Sequence, residues 1–307
     1  MFHANKCEKK RISQVLFFSD RKKYLSNIQI ITLLAMLISL RLIMQYFSIY
    51  IPQFGMSISI SWLPIIVTGW IFGPIIGLVV GGIADTIAYL IKPGQVWFWL
   101  YAIQEPIVGF LSGIVSFIYQ MRINKLNNTF RLGTKNRFTI DIIIFNIFLI
   151  SFLVLTLITV FHWADGNFKF QGSNGLLEGG FFNSYKYVLF GAFIFFVASI
   201  QVFFIYFLRK KKDKSILLLI YVSIIVIMNA FVFSFILGPV SSIEYFKFLN
   251  DGREPSSLIK YGVIYYLIPR ILKEAIKSPI QIYILLSLIP IVNFAYERIA
   301  NNKKLKW

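Results

Sequence analysis

The chain has 307 residues, of which 57% are hydrophobic, and its mean hydropathy is +0.71. A soluble domain cannot bury that much apolar surface, so the composition predicts an all-α bundle of membrane-spanning helices in contact with lipids. The formal net charge of +18 indicates basic loops on the inner side of a membrane and gives little support to nucleic-acid binding. The single cysteine, Cys7, argues against an intrachain disulfide and a thiolate metal site.

Basic and apolar segments alternate along the chain and predict five regions. They are a basic cytoplasmic tail at 1–27, membrane helices at 28–120, an additional helix pair with basic flanks at 121–214, further membrane helices at 215–296, and a cytoplasmic tail at 297–307. Of the 31 Lys and Arg residues, 21 fall in segments assigned to the inner side and six in segments assigned to the outer side. This asymmetry predicts about eight crossings of the cell membrane, with both termini in the cytoplasm.

The spans near the C-terminus carry two more detailed predictions. The span at 215–238 is expected to lead into an outer loop at 239–260. The last span is expected between Tyr261 and Tyr296, where three prolines, Pro269, Pro279 and Pro290, should interrupt the helix because proline removes a backbone donor.

The apolar stretch at 62–91 contains a break and a single acid. Glycine permits positive φ and proline suits a helix start, so Gly73-Pro74 predicts two helices, at 62–72 and 74–91. The acid is Asp85. A carboxylate inside a membrane is costly, so we expect Asp85 either to bind a ligand or to have a polar partner nearby.

Small residues recur at four-residue spacing in two helices. Gly73, Gly77 and Gly81 predict a close approach of a neighbouring helix backbone, and Ala35 and Ser39 form a similar pair in the first span. These positions are therefore predicted to be packing surfaces.

Charged side chains in the first and last spans are candidates for ligand binding. Arg41 lies about 200° around the helix from Ser39, so we expect it to face away from the small-residue pair. It would then snorkel, pair with Asp85 or bind a ligand. Arg270, Lys273 and Lys277 share one side of the last helix with Glu274. This arrangement suits either an anionic small molecule or an internal ladder of ion pairs.

Aromatic and amide side chains add further candidates. Trp97 and Trp99 cluster in a predicted outer loop, where they form either an interfacial aromatic belt or a stacking surface for a flat heterocycle. Asn229 is an amide within a predicted span, and it either joins helices or binds a ligand.

The sequence contains no phosphate-binding loop, no zinc-protease motif and no nucleophile elbow, so we predict neither an enzyme nor a cofactor. A membrane enzyme acting on lipid is disfavoured because the span acids have cations near them. A stand-alone secondary transporter stays an alternative, although such proteins usually contain internal repeats, and we detect none.

Four stretches together resemble one transporter family. They are LPIIVTGWIFGPIIGLVVGGIADTIAYLIKPG at 63–94, LLAMLISLR at 33–41, MNAFVFSFILG at 228–238 and IPRILKEAIKSPIQ at 268–281. They resemble the substrate-binding S components of energy-coupling factor (ECF) vitamin transporters, the folate type in particular. That family has six membrane helices, so the additional pair at about 139–208 would be an insertion.

The resemblance implies a high-affinity vitamin-binding subunit that captures folate outside the cell and delivers it inward. Its partners would be a transmembrane coupling subunit and two cytoplasmic ATPases, and Ala35 and Ser39 would dock the coupling subunit. The implied substrate-binding residues are Arg41, Asp85, Tyr89, Trp97, Trp99, Asn229 and Arg270. Among them, the acid and the amide would bind the pterin edge and the arginines would bind carboxylates. An S component for another vitamin stays the nearest alternative.

Overall fold

A computed structural model describes residues 27–51, 56–91, 96–129, 139–164, 170–172, 175–177, 213–254 and 264–304, with part of 191–206. The chain divides into two compact units. Unit 1 contains residues 1–47, 60–134 and 283–307, and unit 2 contains residues 48–59 and 135–282. Nearly all of the predicted cytoplasmic tail at 1–27 lies outside the described residues, and most of the predicted tail at 297–307 continues the last helix.

The described part of the chain is almost entirely helical. In chain order its elements are α1 (Asn27–Tyr46), β1 (Ile49–Ile51), β2 (Met56–Ile58), α2 (Leu63–Phe72), α3 (Pro74–Ile91), α4 (Trp99–Ala102), α5 (Gln104–Thr129), α6 (Thr139–Ala164), β3 (Phe170–Gly172), β4 (Gly175–Leu177), α7 (Asp213–Asn229), a π-helical segment (Ala230–Leu237), α8 (Gly238–Leu249) and α9 (Ile264–Lys304). The strands form only two short antiparallel hairpins, β1–β2 and β3–β4. The predicted all-α fold class is confirmed.

Within the described residues, five helical stretches are long and apolar enough to cross a bilayer. They are Ile28–Tyr46, Pro74–Ile91, Trp99–Asn124, Ser215–Leu249 and Ile276–Phe294, and the apolar helices Leu63–Phe72 and Asp141–Leu155 are shorter. The predicted span at 187–208 is described only in part. The chain is therefore a multi-pass membrane protein, and the total of about eight crossings stays a prediction.

In unit 1, a tight break separates α2 from α3 at the predicted position. Gly73 has a φ of 95°, a conformation that residues with a Cβ rarely adopt. Its N–H donates to the carbonyl of Gly69, and its own carbonyl accepts from the N–H of Gly77, both at 3.0 Å. Both backbone polar groups of Gly73 are therefore paired at the break, as a low-water environment requires.

The glycine stripe of α3 lies directly against α5. A Cβ built on Gly77 would be 2.5 Å from the carbonyl oxygen of Gly109, and one built on Gly81 would be 2.6 Å from that of Glu105. Gly82, one position further, would meet only the side chain of Pro106, at 3.7 Å. The backbones of α3 and α5 are thus in contact along the side of α3 that carries Gly77 and Gly81, whereas Gly82 has room for a methyl group.

This contrast predicts different effects for two adjacent substitutions. Gly81→Ala should force α3 and α5 apart and lower stability by about 1–3 kcal/mol, the usual cost of overpacking. Gly82→Ala should be tolerated, since its methyl group has ordinary contacts. The measurement is the fraction of each detergent-purified variant that stays monodisperse after heating, and equal loss for both variants would contradict the prediction.

Two predictions near the C-terminus are wrong. The expected outer loop at 239–260 is helical as far as Leu249, because α8 continues directly from the π-helical segment within one apolar helical stretch, Ser215–Leu249. The last helix, α9, is continuous through all three of its prolines. Proline is tolerated in membrane helices because neighbouring groups satisfy the backbone carbonyls that it leaves free.

In unit 2, α6 packs against α7 and the π-helical segment. Near the start of α6, the buried carboxylate of Asp141 accepts a hydrogen bond of 2.9 Å from the hydroxyl of Tyr221. Further along α6, Phe152 forms a buried apolar cluster with Ile227 and Ala230, and partly buried aromatic rings surround it. The helix that we predicted to be an insertion is thus an integral part of this core.

Candidate functional site

Arg41 and Glu105 form a buried ion pair in unit 1. Arg41 projects from α1 and Glu105 from the first turn of α5, and each is about 5% exposed. The guanidinium Nε donates to Glu105 Oε2 at 2.9 Å, and Nη2 donates to Oε1. Gln45, one turn along α1, accepts from Nη1, and the Trp62 side chain is a further hydrogen-bonding partner of Glu105. This bidentate geometry is the strongest form of an Arg–carboxylate contact.

Glu105 is not among the residues predicted above, where Asp85 is the possible partner of Arg41. Asp85 is half-buried on α3 and interacts electrostatically with Glu105 and Arg41, but Glu105 makes the hydrogen bonds to the guanidinium. One signal would have identified Glu105. It is an acid within a predicted span, in the sequence Gln104-Glu105-Pro106 that is typical of a helix start.

The other predicted residues of unit 1 lie at the surface. Ala35 and Ser39 are exposed on α1, and the Ser39 hydroxyl donates to the Ala35 carbonyl at 2.9 Å. Tyr89, Trp97 and Trp99 are also exposed. The small-residue pair therefore lies on an open face of α1, whereas Arg41 on the same helix is buried.

In unit 2, Asn229 is a buried amide for which the described residues supply no hydrogen-bond partner. It is the last residue of α7, directly before the π-helical segment, and only 5% of it is exposed. Neither its Oδ1 nor its Nδ2 has a hydrogen-bond partner among the described residues. Leaving a buried polar group unpaired costs about 1–3 kcal/mol, so this amide is a candidate for hydrogen bonding to a bound substrate.

Glu274 of α9 lies at the centre of a buried polar cluster, which we call the Glu274 cluster. Its Oε1 accepts hydrogen bonds from Ser234 of the π-helical segment and from the Lys277 ammonium, each at 2.7 Å. Its Oε2 accepts from Ser278 at 3.2 Å. The ion pair of Glu274 with Lys277 and its two serine contacts satisfy this carboxylate within the protein.

Arg270 lies one turn before the Glu274 cluster and binds a different group. Its Nη2 donates to the hydroxyl of Ser242 on α8 at 2.6 Å. The guanidinium lies over Gly238, where a Cβ would be only 2.9 Å from Cζ. Lys273, partly buried, follows on the same helix. Three cations and one acid thus share this part of α9, which leaves an excess of positive charge.

The predicted substrate-binding residues divide between the two units. Arg41, Asp85, Tyr89, Trp97 and Trp99 belong to unit 1, and Asn229 and Arg270 belong to unit 2. That they line one cavity stays a prediction. Among the described residues, no group of three His, Cys, Asp or Glu side chains could hold a metal ion.

Comparisons with known proteins agree with a role in transport. The family model described as "ECF transporter, substrate-specific component" matches residues 29–198, more than half of the chain. The match includes α6, which we predicted to be an insertion, and ends before α7. Proteins of this family bind a vitamin-type substrate and work with a membrane coupling subunit and ATPases.

Two relatives cover nearly the whole chain. An uncharacterised protein of Mycoplasma pneumoniae is 33% identical over 291 residues, which is 93% of this chain and 97% of the relative. An uncharacterised protein of Mycoplasma genitalium is 30% identical over 276 residues, which is 88% of this chain and 92% of the relative. No solved structure matches the chain at a significant level. The family match covers the small-residue pair, the buried Arg41–Glu105 pair and the α2–α3 break, and the chain belongs to the family of substrate-specific components of ECF transporters.

Proposed function

We propose that this chain is the folate-binding subunit of an ATP-driven uptake transporter. It would capture folate at the outer face of the cell membrane and release it inward, with a coupling subunit, two cytoplasmic ATPases and both termini in the cytoplasm. The amide of Asn229 carries the proposal, because it is a buried donor and acceptor with no hydrogen-bond partner among the described residues.

The chemistry of folate suits this amide. A carboxamide offers one acceptor and two donors, and the edge of a pterin ring presents adjacent donors and acceptors that complement them. A site that hydrogen-bonds a ligand in this way rejects analogues that lack the matching groups, since its own polar atoms would stay unpaired. Asn229 would therefore supply selectivity for the pterin ring.

The positive charge of α9 suits the other end of folate, which carries two carboxylates. Arg270 is held by Ser242, and Lys273 follows it on the helix, while Glu274 is already occupied by its own cluster. A guanidinium held in place by a neighbour loses little freedom on binding a carboxylate. Arg270 would then be the principal carboxylate-binding residue.

The residues of unit 1 have supporting roles in this proposal. Asp85 would accept from the pterin edge, and Tyr89, Trp97 and Trp99 would cover the ring from the outer side. Arg41 already binds Glu105, so a ligand carboxylate would reach it only in competition with that acid. The exposed pair Ala35 and Ser39 would be the docking surface for the coupling subunit.

Ligand identity is the direct test. The chain is purified alone in detergent, and its tryptophan fluorescence is titrated with folic acid, a reduced folate, riboflavin and thiamine. Saturable quenching by a folate without any ATPase present is the expected result. Binding of riboflavin or thiamine instead would keep the family and overturn the folate assignment, and no binding by folded protein would overturn the proposal as a whole.

A second prediction concerns the acid of α3. Asp85→Asn should weaken folate binding about tenfold or more, since loss of a hydrogen bond to a charged group costs about 1.5–3 kcal/mol. Asp251→Asn, in the turn after α8, is the matched control and should bind folate normally. If Asp85→Asn binds folate as tightly as the unmodified chain, the acid does not contact the ligand.

A further inference from the structure

The π-helical segment determines which side chains share one side of this stretch. In a π-helix each backbone N–H bonds the carbonyl five residues earlier, so the helix is wider than an α-helix and residues five apart lie closer to the same side. Asn229 and Ser234 are separated by five residues. In an α-helix they would be about 140° apart. The π conformation therefore brings Asn229 closer to the side of the helix from which Ser234 bonds Glu274.

Aromatic side chains of α6 contact the same segment. The ring of Phe152 stacks on Phe235, with centroids 6.0 Å apart and planes 17° apart, and meets Phe231 edge-on at 6.3 Å. Phe231 and Phe235 also contact each other edge-on, at 5.2 Å. Phe152 belongs to the same buried cluster as Ala230, the residue that follows Asn229.

A π-helical segment of eight residues needs tertiary support, because this conformation is rare and usually limited to single turns. Phe152 is well placed to provide that support. It shares a buried cluster with the first residue of the segment and contacts two rings within it, and α6 is itself joined to α7 by the Asp141–Tyr221 hydrogen bond. Packing at Phe152 is thus coupled to the backbone conformation at Asn229.

We infer that α6, through Phe152, holds the segment Ala230–Leu237 in its π conformation and so positions Asn229 for substrate binding. This inference rests on the proposed function and gives a role to α6, the helix predicted above to be an insertion. Phe152 is a positioning residue that acts through Asn229. Its truncation should lower affinity only while the amide of Asn229 is present.

A matched pair of variants tests the inference with folic acid as the probe. Phe152→Ala should weaken folic acid binding about fivefold or more, within the range of coupling energies between neighbouring residues. Phe145→Ala removes another buried ring from α6, one that packs against Phe204 at 5.8 Å. Phe145→Ala should change the affinity for folic acid less than about twofold, because Phe145 is not part of the buried cluster of Phe152, Ile227 and Ala230. If Phe152→Ala does not fold, Phe152→Leu takes its place.

A double-variant cycle separates positioning from general destabilisation. In an Asn229→Leu background, Phe152→Ala should cause no further loss of affinity. An equal loss in both backgrounds, or an equal loss from Phe145→Ala, would overturn the inference. If Asn229→Leu alone binds folic acid normally, Asn229 does not bind the substrate, and both the proposed role of Asn229 and the inference are overturned. If Asn229→Leu weakens binding but Phe152→Ala does not, only the inference fails.

Discussion

Glu105→Gln should destabilise the protein by about 3–5 kcal/mol, the cost of leaving one member of a buried ion pair without its partner. The guanidinium of Arg41 would stay buried at the α1–α5 contact with a neutral amide in place of the carboxylate that binds two of its nitrogens. The measurement is the temperature at which half of the purified protein stops being monodisperse in detergent.

Two further variants show whether the buried charge is responsible. Glu244→Gln breaks an exposed pair with Lys247, 3.5 Å long, and should change stability by less than about 1 kcal/mol. The double variant Arg41→Met, Glu105→Leu removes both charges. It should recover most of the stability that Glu105→Gln loses, because an apolar pair of similar size buries no charge that needs a partner. Unchanged thermal stability of Glu105→Gln would show that the Arg41–Glu105 ion pair contributes little to the stability of the folded protein.

Asn229→Leu should weaken folate binding about ten- to hundredfold, because two hydrogen bonds to the ligand are lost. The same substitution should leave the ligand-free protein at least as stable as before, since it removes a buried amide that has no partner among the described residues. The opposite directions of these effects distinguish a ligand-binding residue from a structural one. Fluorescence titration and thermal stability without ligand measure them separately.

Ser223→Ala is the matched control for this prediction. Ser223 is fully buried on the same helix, and its hydroxyl also has no hydrogen-bond partner among the described residues. It lies six residues from Asn229, about 240° around the helix, so its loss should not affect folate binding. If Asn229→Leu destabilises the ligand-free protein and binds folate normally, the amide is a structural group.

Local features of this fold could be predicted from the sequence. The break at Gly73-Pro74 depends on two adjacent residues with restricted roles, and the observed helices α2 and α3 end and begin there as predicted. Small residues at four-residue spacing indicated where a backbone contact would occur, although they did not identify α5 as the partner. Hydropathy alone was enough to establish a membrane-spanning helical class.

Features that depend on distant partners could not be predicted in the same way. Arg41 and Glu105 are separated by 64 residues, and nothing local to Arg41 distinguishes Glu105 from Asp85 as its partner. The continuity of α9 through its prolines depends on its neighbours. The π-helical segment is apolar except for Ser234, so its side-chain pattern does not indicate whether the backbone bonds four or five residues away.

The short helix α2 has a consequence for the biogenesis of the protein. Its ten residues span about 15 Å, half the hydrocarbon thickness of a bilayer, and all ten are buried by other parts of the protein. A helix of this length cannot be held stably in lipid as a lone segment while the ribosome continues. Its most extensive packing is against α3 and α5, and α5 is completed more than 50 residues later. Translation must therefore proceed through α5 before α2 can pack as it does in the folded protein. Until then, α2 is shielded only by the insertion machinery or by α3.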